Sequence, residues 1–339
     1  MINNASTSKG KREAIPSELP WYKVEKYRPL YLKDVIGNEG VIKGLKRCAA
    51  EGFSHHLLLA GPPGVGKTTG IYCLAREILG EDLIKQAVLE LNASDDRGID
   101  IVRNSVKTFA KTKVNLPPGK KKIVILDEAD SMTQSAQQAL RRIMEIYSET
   151  TRFALACNTS EKIIEPIQSR CLIMRFGRLQ EKDILRRLIE ICQVENVKYN
   201  PEGLEAIIFT ADGDMRQAIN NLQSTYSGFE YVNAENVYKV CDQPHPGSIR
   251  EIILNCSNFK VDDAMSGLSD LWKKGYSAID IVTTFFRVIR INDEISENIR
   301  MDFIKEIGCT HMKILNGVST FLQLSGLVAR LCMIAEKSV

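Results

Sequence analysis

Apolar and polar positions alternate along the first half of the chain in a pattern that predicts strands and helices in turn. Short apolar runs are separated by segments whose apolar residues recur every three or four positions. Such an alternation is typical of a parallel sheet that is covered by helices on both faces. The predicted strands are 56–60, 88–92, 122–126, 152–157 and 173–176, and the predicted helices between them are 68–79, 99–111 and 135–147.

The pattern changes after Leu179, because helical periodicity continues to the end of the chain without another predicted strand. The helical segments include 182–195, 201–210, 215–226, 278–291 and 319–335. We therefore predict an α/β domain followed by a small helical domain and an all-helical C-terminal domain. The expected divisions are a disordered tail at 1–17, the α/β domain at 18–178, the small helical domain at 179–232 and the C-terminal domain at 233–339.

Composition places the chain among ordinary globular proteins. Hydrophobic residues make up 44% of the 339 residues, which is enough to bury a sizeable core, and the net charge of +3 does not by itself point to nucleic acid. The nine cysteines include no C-x-x-C pair, so neither a zinc site nor a disulfide framework is indicated. With no secretory signal and no apolar run of membrane-spanning length, we expect a soluble protein of a reducing compartment.

A glycine-rich segment between the first predicted strand and the next predicted helix fits the pattern G-x-x-x-x-G-K-[ST]. This strand–loop–helix context favours a phosphate-binding loop over a chance glycine turn, because the loop amides and the helix N-terminus both face an anion. Lys67 would place a charge on the β- and γ-phosphates, and Thr68 would offer a hydroxyl to Mg²⁺. The loop consists of Gly61, Pro62, Pro63, Gly64, Val65, Gly66, Lys67 and Thr68.

Two acids follow the third predicted strand, directly after the apolar run 123–126. The carboxyl ends of parallel strands are where α/β sheets place their ligands. Asp127 is therefore predicted to hold Mg²⁺, usually through water, and Glu128 to accept a proton from an attacking water. Taken alone, the pair is better explained as acidic charge at a helix start. Combined with the loop, it predicts a site that hydrolyses a nucleotide.

Several further motifs follow the glycine-rich loop and the two acids along the chain. The motifs in order are 61–69, 127–130, Asn158, 169–171 and 213–216. In this order they resemble the small subunits of replication factor C, a clamp loader of the AAA+ class. Further segments similar to that family are 25–29, 91–98 and 271–276, and the resemblance extends over about 19–335.

This resemblance implies an architecture and an activity. The α/β domain would be an AAA+ nucleotide-binding domain, the small helical domain its lid, and the C-terminal domain a collar that holds subunits together. The family binds ATP and Mg²⁺ and hydrolyses ATP. Its subunits form a hetero-oligomeric ring, a heteropentamer, in the nucleus, which opens the sliding clamp PCNA and loads it onto primer–template DNA without reading sequence, for replication and repair.

The resemblance also implies roles for single residues. Asn158 resembles the residue that orients the lytic water, and Arg216 the lid arginine that reaches the phosphates, although an arginine there could simply begin a helix. Arg170 resembles an arginine finger given in trans to the neighbouring subunit's ATP, whereas a single arginine after a loop is more often a surface residue. The further nucleotide contacts implied are Val24, Arg28, Ile36 and Thr69.

Candidate DNA contacts lie near the predicted helix 99–111. Arg103 and Lys107 are four positions apart and share one face of that helix, and Arg97 precedes it. These cations could follow a phosphate backbone without reading bases, but an ordinary amphipathic helix with a solvated charged face explains them equally well. Arg141 and Arg142 could contact a neighbour's nucleotide or DNA, and the sequence leaves that choice open.

Two other functions remain open. One is a different AAA+ remodelling enzyme, such as a branch-migration motor. The other is a non-enzymatic scaffold that binds nucleotide for structural reasons, which the presence of Lys67, Asp127, Glu128 and Asn158 argues against.

Overall fold

The computed structural model describes residues 24–94 and 102–337. These residues form two compact units. The first unit contains 24–94, 102–198 and 211–223, and the second contains 199–210 and 224–337. Within the described residues, no helix is long and apolar enough to cross a membrane. The segment 1–17 lies outside the described residues, and so does Arg97.

A parallel sheet of five strands forms the centre of the first unit, in the order β2-β3-β4-β1-β5. The prediction of a parallel α/β sheet is confirmed. Leu58 of β1 lies opposite both Leu155 and Ile173, so β1 pairs with β4 on one side and β5 on the other. This order places the carboxyl ends of β1, β3 and β4 side by side. The strands are β1 His56–Ala60, β2 Val88–Asn92, β3 Lys122–Asp127, β4 Thr151–Cys157 and β5 Cys171–Arg175.

Three strand boundaries differ from the prediction. β3 includes Asp127, whose backbone pairs with Asn92, and β4 begins one residue earlier at Thr151. β5 covers Cys171–Arg175 rather than 173–176, because Cys171 already pairs with His56. Hydrogen bonding rather than apolar character sets these limits, and a polar residue can therefore lie inside a strand.

Helices cover both faces of the sheet. Alternate strand residues face opposite sides. One face buries Leu57, Ile123 and Ala154, and the other buries Leu58 and Leu155. The segment predicted as a helix at 99–111 is described from 102 onward and consists of a π-helical turn, Val102–Val106, followed by α4. The helices of this part of the chain are α1 Glu39–Ala50, α2 Lys67–Leu79, α3 Glu81–Ala87, α4 Lys107–Lys111, α5 Gln134–Ile146, α6 Glu165–Gln168 and α7 Glu181–Glu195.

From residue 199 onward the described chain is helical, as predicted. The only β pairing among its described residues is an isolated bridge between Tyr199 and Val232. The C-terminal helices enclose an aliphatic core around Phe285 and Phe303, both fully buried. These helices are α8 Pro201–Ala211, α9 Met215–Phe229, α10 Ala234–Cys241, α11 Pro246–Ser257, α12 Val261–Lys273, α13 Ala278–Ile291, α14 Glu297–Leu315 and α15 Phe321–Lys337.

Candidate nucleotide-binding site

A pocket in the first unit lies at the carboxyl ends of β1, β3 and β4. It brings together the end of the glycine-rich loop, the two acids after β3, the residue after β4 and the first turn of α9. The space within it is about 1160 Å³ when the open mouth is included. The lining residues are Glu25, Tyr27, Arg28, Pro29, Val35, Ile36, Pro63, Gly64, Val65, Gly66, Lys67, Thr68, Thr69, Asp127, Glu128, Ala156, Cys157, Asn158, Leu179, Arg187, Met215, Arg216 and Ile219.

The glycine-rich loop runs from the end of β1 into the N-terminus of α2. Gly66 immediately precedes α2 with φ 94°, a conformation that favours glycine and turns the chain into the helix. Gly61 and Pro62 do not line the pocket, although both were predicted as nucleotide contacts. The carbonyl oxygens of both residues instead accept hydrogen bonds from Lys67, each at 2.7 Å from Nζ.

Lys67 is the charged centre of the loop. Its side chain is 8% exposed, and Nζ also donates to Oδ1 of Asn158 at 3.0 Å. Burial lowers the pKa of the ammonium, and the carboxylate of Asp127 opposes that shift. Backbone carbonyls and an amide thus hold a buried ammonium at the loop, where its charge is available to an anion in the pocket.

The acids after β3 have different surroundings. Asp127 Oδ2 accepts a hydrogen bond from Thr68 Oγ1 at 2.9 Å, and its Oδ1 accepts one from the backbone amide of Glu128 at 2.9 Å. Glu128 is exposed and has a left-handed backbone with φ 49°. The Ser131 hydroxyl donates to its carbonyl oxygen at 2.8 Å. Asp127 is therefore fixed against the loop, while Glu128 is exposed and lines the pocket.

The oxygen atoms of Thr68 and Asp127 are of the kind that a hard cation such as Mg²⁺ prefers. Among the described residues there is no cluster of three or more His, Cys, Asp or Glu side chains that could hold a metal ion. A cation at this pair would therefore complete its coordination with water and phosphate oxygens, as Mg²⁺ commonly does.

Asn158 lies directly after β4, at the rim of the pocket. Its side chain accepts the hydrogen bond from Lys67, and its backbone amide donates to Asp130 Oδ1 at 3.4 Å. This residue therefore links the end of β4 both to the glycine-rich loop and to the turn after β3.

The segment before α1 closes one side of the pocket. Arg28 Nε donates to Thr69 Oγ1 at 3.3 Å, and its guanidinium carbon lies 4.6 Å from the centre of the Tyr72 ring. Arg187 of α7 donates to the Tyr27 carbonyl oxygen at 2.8 Å. Ile36 lines the pocket, and its contact with the nucleotide stays a prediction, while the side chain of Val24 lies outside the described part of the chain.

Arg216 lines the pocket from the first turn of α9. Its side chain is exposed, and it makes no hydrogen bond or ion pair with any other residue that the structure describes. The guanidinium is therefore available to an anion.

Arg170 and Lys107 do not line the pocket. Arg170 donates to Glu145 Oε1 and to the Pro166 carbonyl oxygen, each at 2.5 Å, so it is held beside α5. Lys107 begins α4 and is exposed. The side chain of Arg103 lies outside the described residues, so the predicted shared face with Lys107 stays a prediction.

Sequence reasoning missed several lining residues from distant parts of the chain. Glu25, Tyr27 and Val35 come from the N-terminal segment, and Arg187 and Ile219 come from α7 and α9. Glu25 and Tyr27 fall in the family-like segment 25–29, in which only Arg28 was assigned a nucleotide contact, and no local motif marks Val35, Arg187 or Ile219. The last two reach the pocket through the packing of α7 and α9. Arg187 was inside a correctly predicted helix, but the helical pattern alone does not say which polar position faces a ligand.

The strand order, the loop between β1 and α2, and the acids after β3 together define a P-loop ATPase of the AAA class. The family model for the ATPase family associated with various cellular activities (AAA) matches 57–179. The model for the replication factor C C-terminal domain matches 244–330.

Relatives match nearly the whole chain. Replication factor C subunit 2 of Arabidopsis thaliana is 57% identical, covering 99% of this chain and 98% of the relative. Replication factor C subunit 4 of Saccharomyces cerevisiae is also 57% identical, covering 95% of this chain and 98% of the relative. This chain belongs to the replication factor C family, as a small subunit of the type numbered two or four, and it is an ATPase.

The fold also resembles that of a protein with another activity. The RuvB Holliday junction branch migration motor of Thermotoga maritima superposes with a TM-score of 0.53 at 20% identity, covering 68% of this chain and 78% of that one. At this identity the likeness concerns the fold alone. The branch-migration alternative is therefore not favoured.

Proposed function

We propose that this chain is an ATP-binding subunit of a nuclear, hetero-oligomeric clamp loader. Such an assembly uses ATP binding and hydrolysis to open the sliding clamp PCNA and load it onto primer–template DNA in replication and repair. The observation that carries the proposal is the meeting of Lys67, Thr68, Asp127 and Glu128 in one pocket. The likeness to replication factor C subunits over nearly the full chain supports the particular assembly.

The nucleotide is ATP with Mg²⁺ in this proposal. Lys67 binds the β- and γ-phosphates, and Thr68 and Asp127 hold the cation, which would neutralise charge on the phosphates. The support is three hydrogen bonds that already align these groups, two from Lys67 to the loop carbonyls and one from Thr68 to Asp127. Arg28, Ile36 and Thr69 would contact the nucleotide from the side closed by the N-terminal segment.

Hydrolysis requires a group that takes a proton from water. Glu128 does this in our proposal, because it lines the same pocket as the cation ligands. The Asn158 amide orients the water, and Arg216 stabilises charge on the γ-phosphate. Arg216 has no partner within the described residues to compete for its guanidinium.

Arg170 acts in trans, on the ATP of the neighbouring subunit. Its absence from the lining of this chain's own pocket supports that role. An arginine finger is worth roughly 10³ to 10⁵ in hydrolysis rate. The chain alone should therefore bind ATP and hydrolyse it slowly.

The DNA contact in this proposal is made by Lys107, with Arg97 and Arg103, along the phosphate backbone. The exposed position of Lys107 at the start of α4 is compatible with it. The three-part division into a nucleotide-binding domain at 18–178, a lid at 179–232 and a collar at 233–339 is also part of the proposal.

The trans role can be tested in a reconstituted loader with one altered subunit at a time. Arg170→Ala should leave ATP binding at this chain's own site intact and slow hydrolysis at the adjacent site. Arg250→Ala is the matched control, because Arg250 is an exposed arginine that, like Arg170, pairs with a single glutamate, here Glu294. Slowed hydrolysis at this chain's own site, with the adjacent site unaffected, would contradict the assignment.

A further inference from the structure

The N-terminus of α9 contacts the glycine-rich loop at Gly64. The Met215 amide donates to the Gly64 carbonyl oxygen at 3.2 Å. The carboxylate of Asp214 occupies the space beside the Gly64 Cα, since a Cβ at position 64 would lie 1.6 Å from Asp214 Oδ1. Gly64 also has φ +66°, which disfavours a side chain there. The loop and the start of α9 are therefore in direct contact, with Gly64 on the loop and Asp214 and Met215 on the helix side.

Asp214 has a second role in the same place. Its Oδ1 accepts a hydrogen bond from the Gln217 amide at 2.9 Å, which is the geometry of a helix N-cap. Arg216 lies between these two residues, in the turn that the cap orders. The same carboxylate thus caps the first turn of α9 and contacts the glycine-rich loop, which is proposed to bind the phosphates.

The chain before Asp214 is anchored as well. Leu179 donates its amide to the Gly213 carbonyl oxygen at 3.2 Å, and Arg178 forms an ion pair with Asp212. Both partners lie just after β5, so the segment is attached to the sheet. The position of Arg216 is therefore set from one side by the end of the sheet and from the other by the glycine-rich loop.

We propose that Asp214 is a positioning residue that couples the conformation of the glycine-rich loop to the position of Arg216. The inference rests on the proposed phosphate contact of Arg216. A carboxylate beside a phosphate-binding loop repels phosphate, so its charge does not help to bind the nucleotide. Its contribution comes from the cap and from its contact with Gly64, which together hold Arg216 toward the pocket.

The test measures the affinity of the full-length chain for a fluorescent ATP analogue and its melting temperature. Asp214→Ala should weaken the affinity about tenfold, since it removes both the cap and the loop contact. Asp214→Asn should bind at least as tightly as the unaltered chain, because asparagine caps equally well and removes the repulsion. Asp214→Ser should retain the melting temperature and lose affinity, because serine caps the helix without reaching Gly64.

The coupling itself is tested by combining Asp214→Ala with Arg216→Ala. If Asp214 acts through Arg216, the double variant should bind no more weakly than Arg216→Ala alone. The control is Asn233→Ala, which removes a cap of the same kind at α10, where Asn233 Oδ1 accepts from the Asn236 amide at 2.8 Å. It should lower the melting temperature as Asp214→Ala does and leave the affinity unchanged.

The outcomes separate this inference from the proposed function. If Arg216→Ala weakens binding while Asp214→Ala or Asp214→Ser does not, the inference is overturned and the role of Arg216 stands. Fully additive losses in the double variant also overturn it, because Asp214 would then act independently of Arg216. If Arg216→Ala binds normally, the phosphate contact of Arg216 fails, and the coupling fails with it.

Discussion

The two units of this protein bury different kinds of side chain. In the first unit, the buried residues include Lys67, Lys122, Arg152 and His56. In the described residues of the second unit, the buried polar side chains are neutral ones such as Thr284, Thr310 and Asn292. The core of the second unit is otherwise aliphatic and aromatic.

The difference shows how a buried charge is tolerated. Lys122 Nζ donates to the carbonyl oxygens of Phe109, Ala110 and Thr112 at the end of α4, at 2.9, 2.5 and 2.8 Å. Each buried cation of the first unit is satisfied by backbone carbonyls in this way. We therefore expect the first unit to respond to changes of charge and the second to changes of volume.

The largest effect should come from the chemistry of the first unit. Glu128→Gln should leave ATP binding intact and reduce turnover at this site about 10²- to 10⁴-fold, because it removes the proton acceptor. Single-turnover hydrolysis in the reconstituted assembly measures this. Glu161→Gln, at an exposed position outside the pocket, is the control and should hydrolyse normally. Normal turnover by Glu128→Gln would exclude Glu128 as the base.

A volume change should dominate in the second unit. Phe285→Ala should lower the free energy of unfolding by about 3 to 5 kcal/mol, because it leaves a cavity in a fully buried cluster. Denaturant titration followed by circular dichroism measures the loss. Phe286→Ala is the matched control, since Phe286 is the next residue in α13 and is 39% exposed. Equal losses for the two variants would contradict the volume argument.

Acid should act on the first unit through His56. Burial, followed by the nearby charges of Arg152 and Lys121, lowers the pKa of this imidazole to about 4. The unfolded imidazole titrates near 6.5, so between these values the unfolded state binds more protons and stability falls as the pH falls. The expected loss from pH 7 to pH 4 is up to about 3 kcal/mol.

The control for this pH dependence is His56→Gln. The Phe153 amide donates to His56 Nδ1 at 3.1 Å, and a glutamine oxygen can accept the same bond. Between pH 6.5 and pH 4, the variant should lose less stability than the unaltered chain. An unchanged slope would mean that other groups account for the acid sensitivity.

A smaller effect is expected from the loop lysine. Lys67→Ala should weaken ATP binding by roughly 10- to 100-fold, because hydrogen bonds from a charged donor to the phosphates are lost. Isothermal titration calorimetry measures the change. Lys85→Ala, an exposed lysine of α3, should bind ATP as before. If Lys67→Ala also bound ATP as before, the proposed phosphate contact would be wrong.

The confirmed predictions share one property, which is that they depend on local patterns. The β1 and β2 bounds follow from short apolar runs between turn residues, and both strands match the structure. α1 was missed although Ile42 and Leu45 are spaced as a buried helix face, and α6 was missed because it is a single turn. The roles assigned to Asn158, Arg170 and Arg216 stay predictions.

The sequence by itself determined the class of fold, the glycine-rich loop and the two acids, because each is specified by neighbouring residues whose spacing dictates backbone geometry. The tertiary structure alone decided three features. They are the strand order, the placement of Arg187 and Ile219 in the lining of the pocket, and the contact of Asp214 with Gly64. Those features join residues far apart in the chain. Such contacts depend on how hydrophobic faces pack, and periodicity along the chain identifies the faces but not their partners.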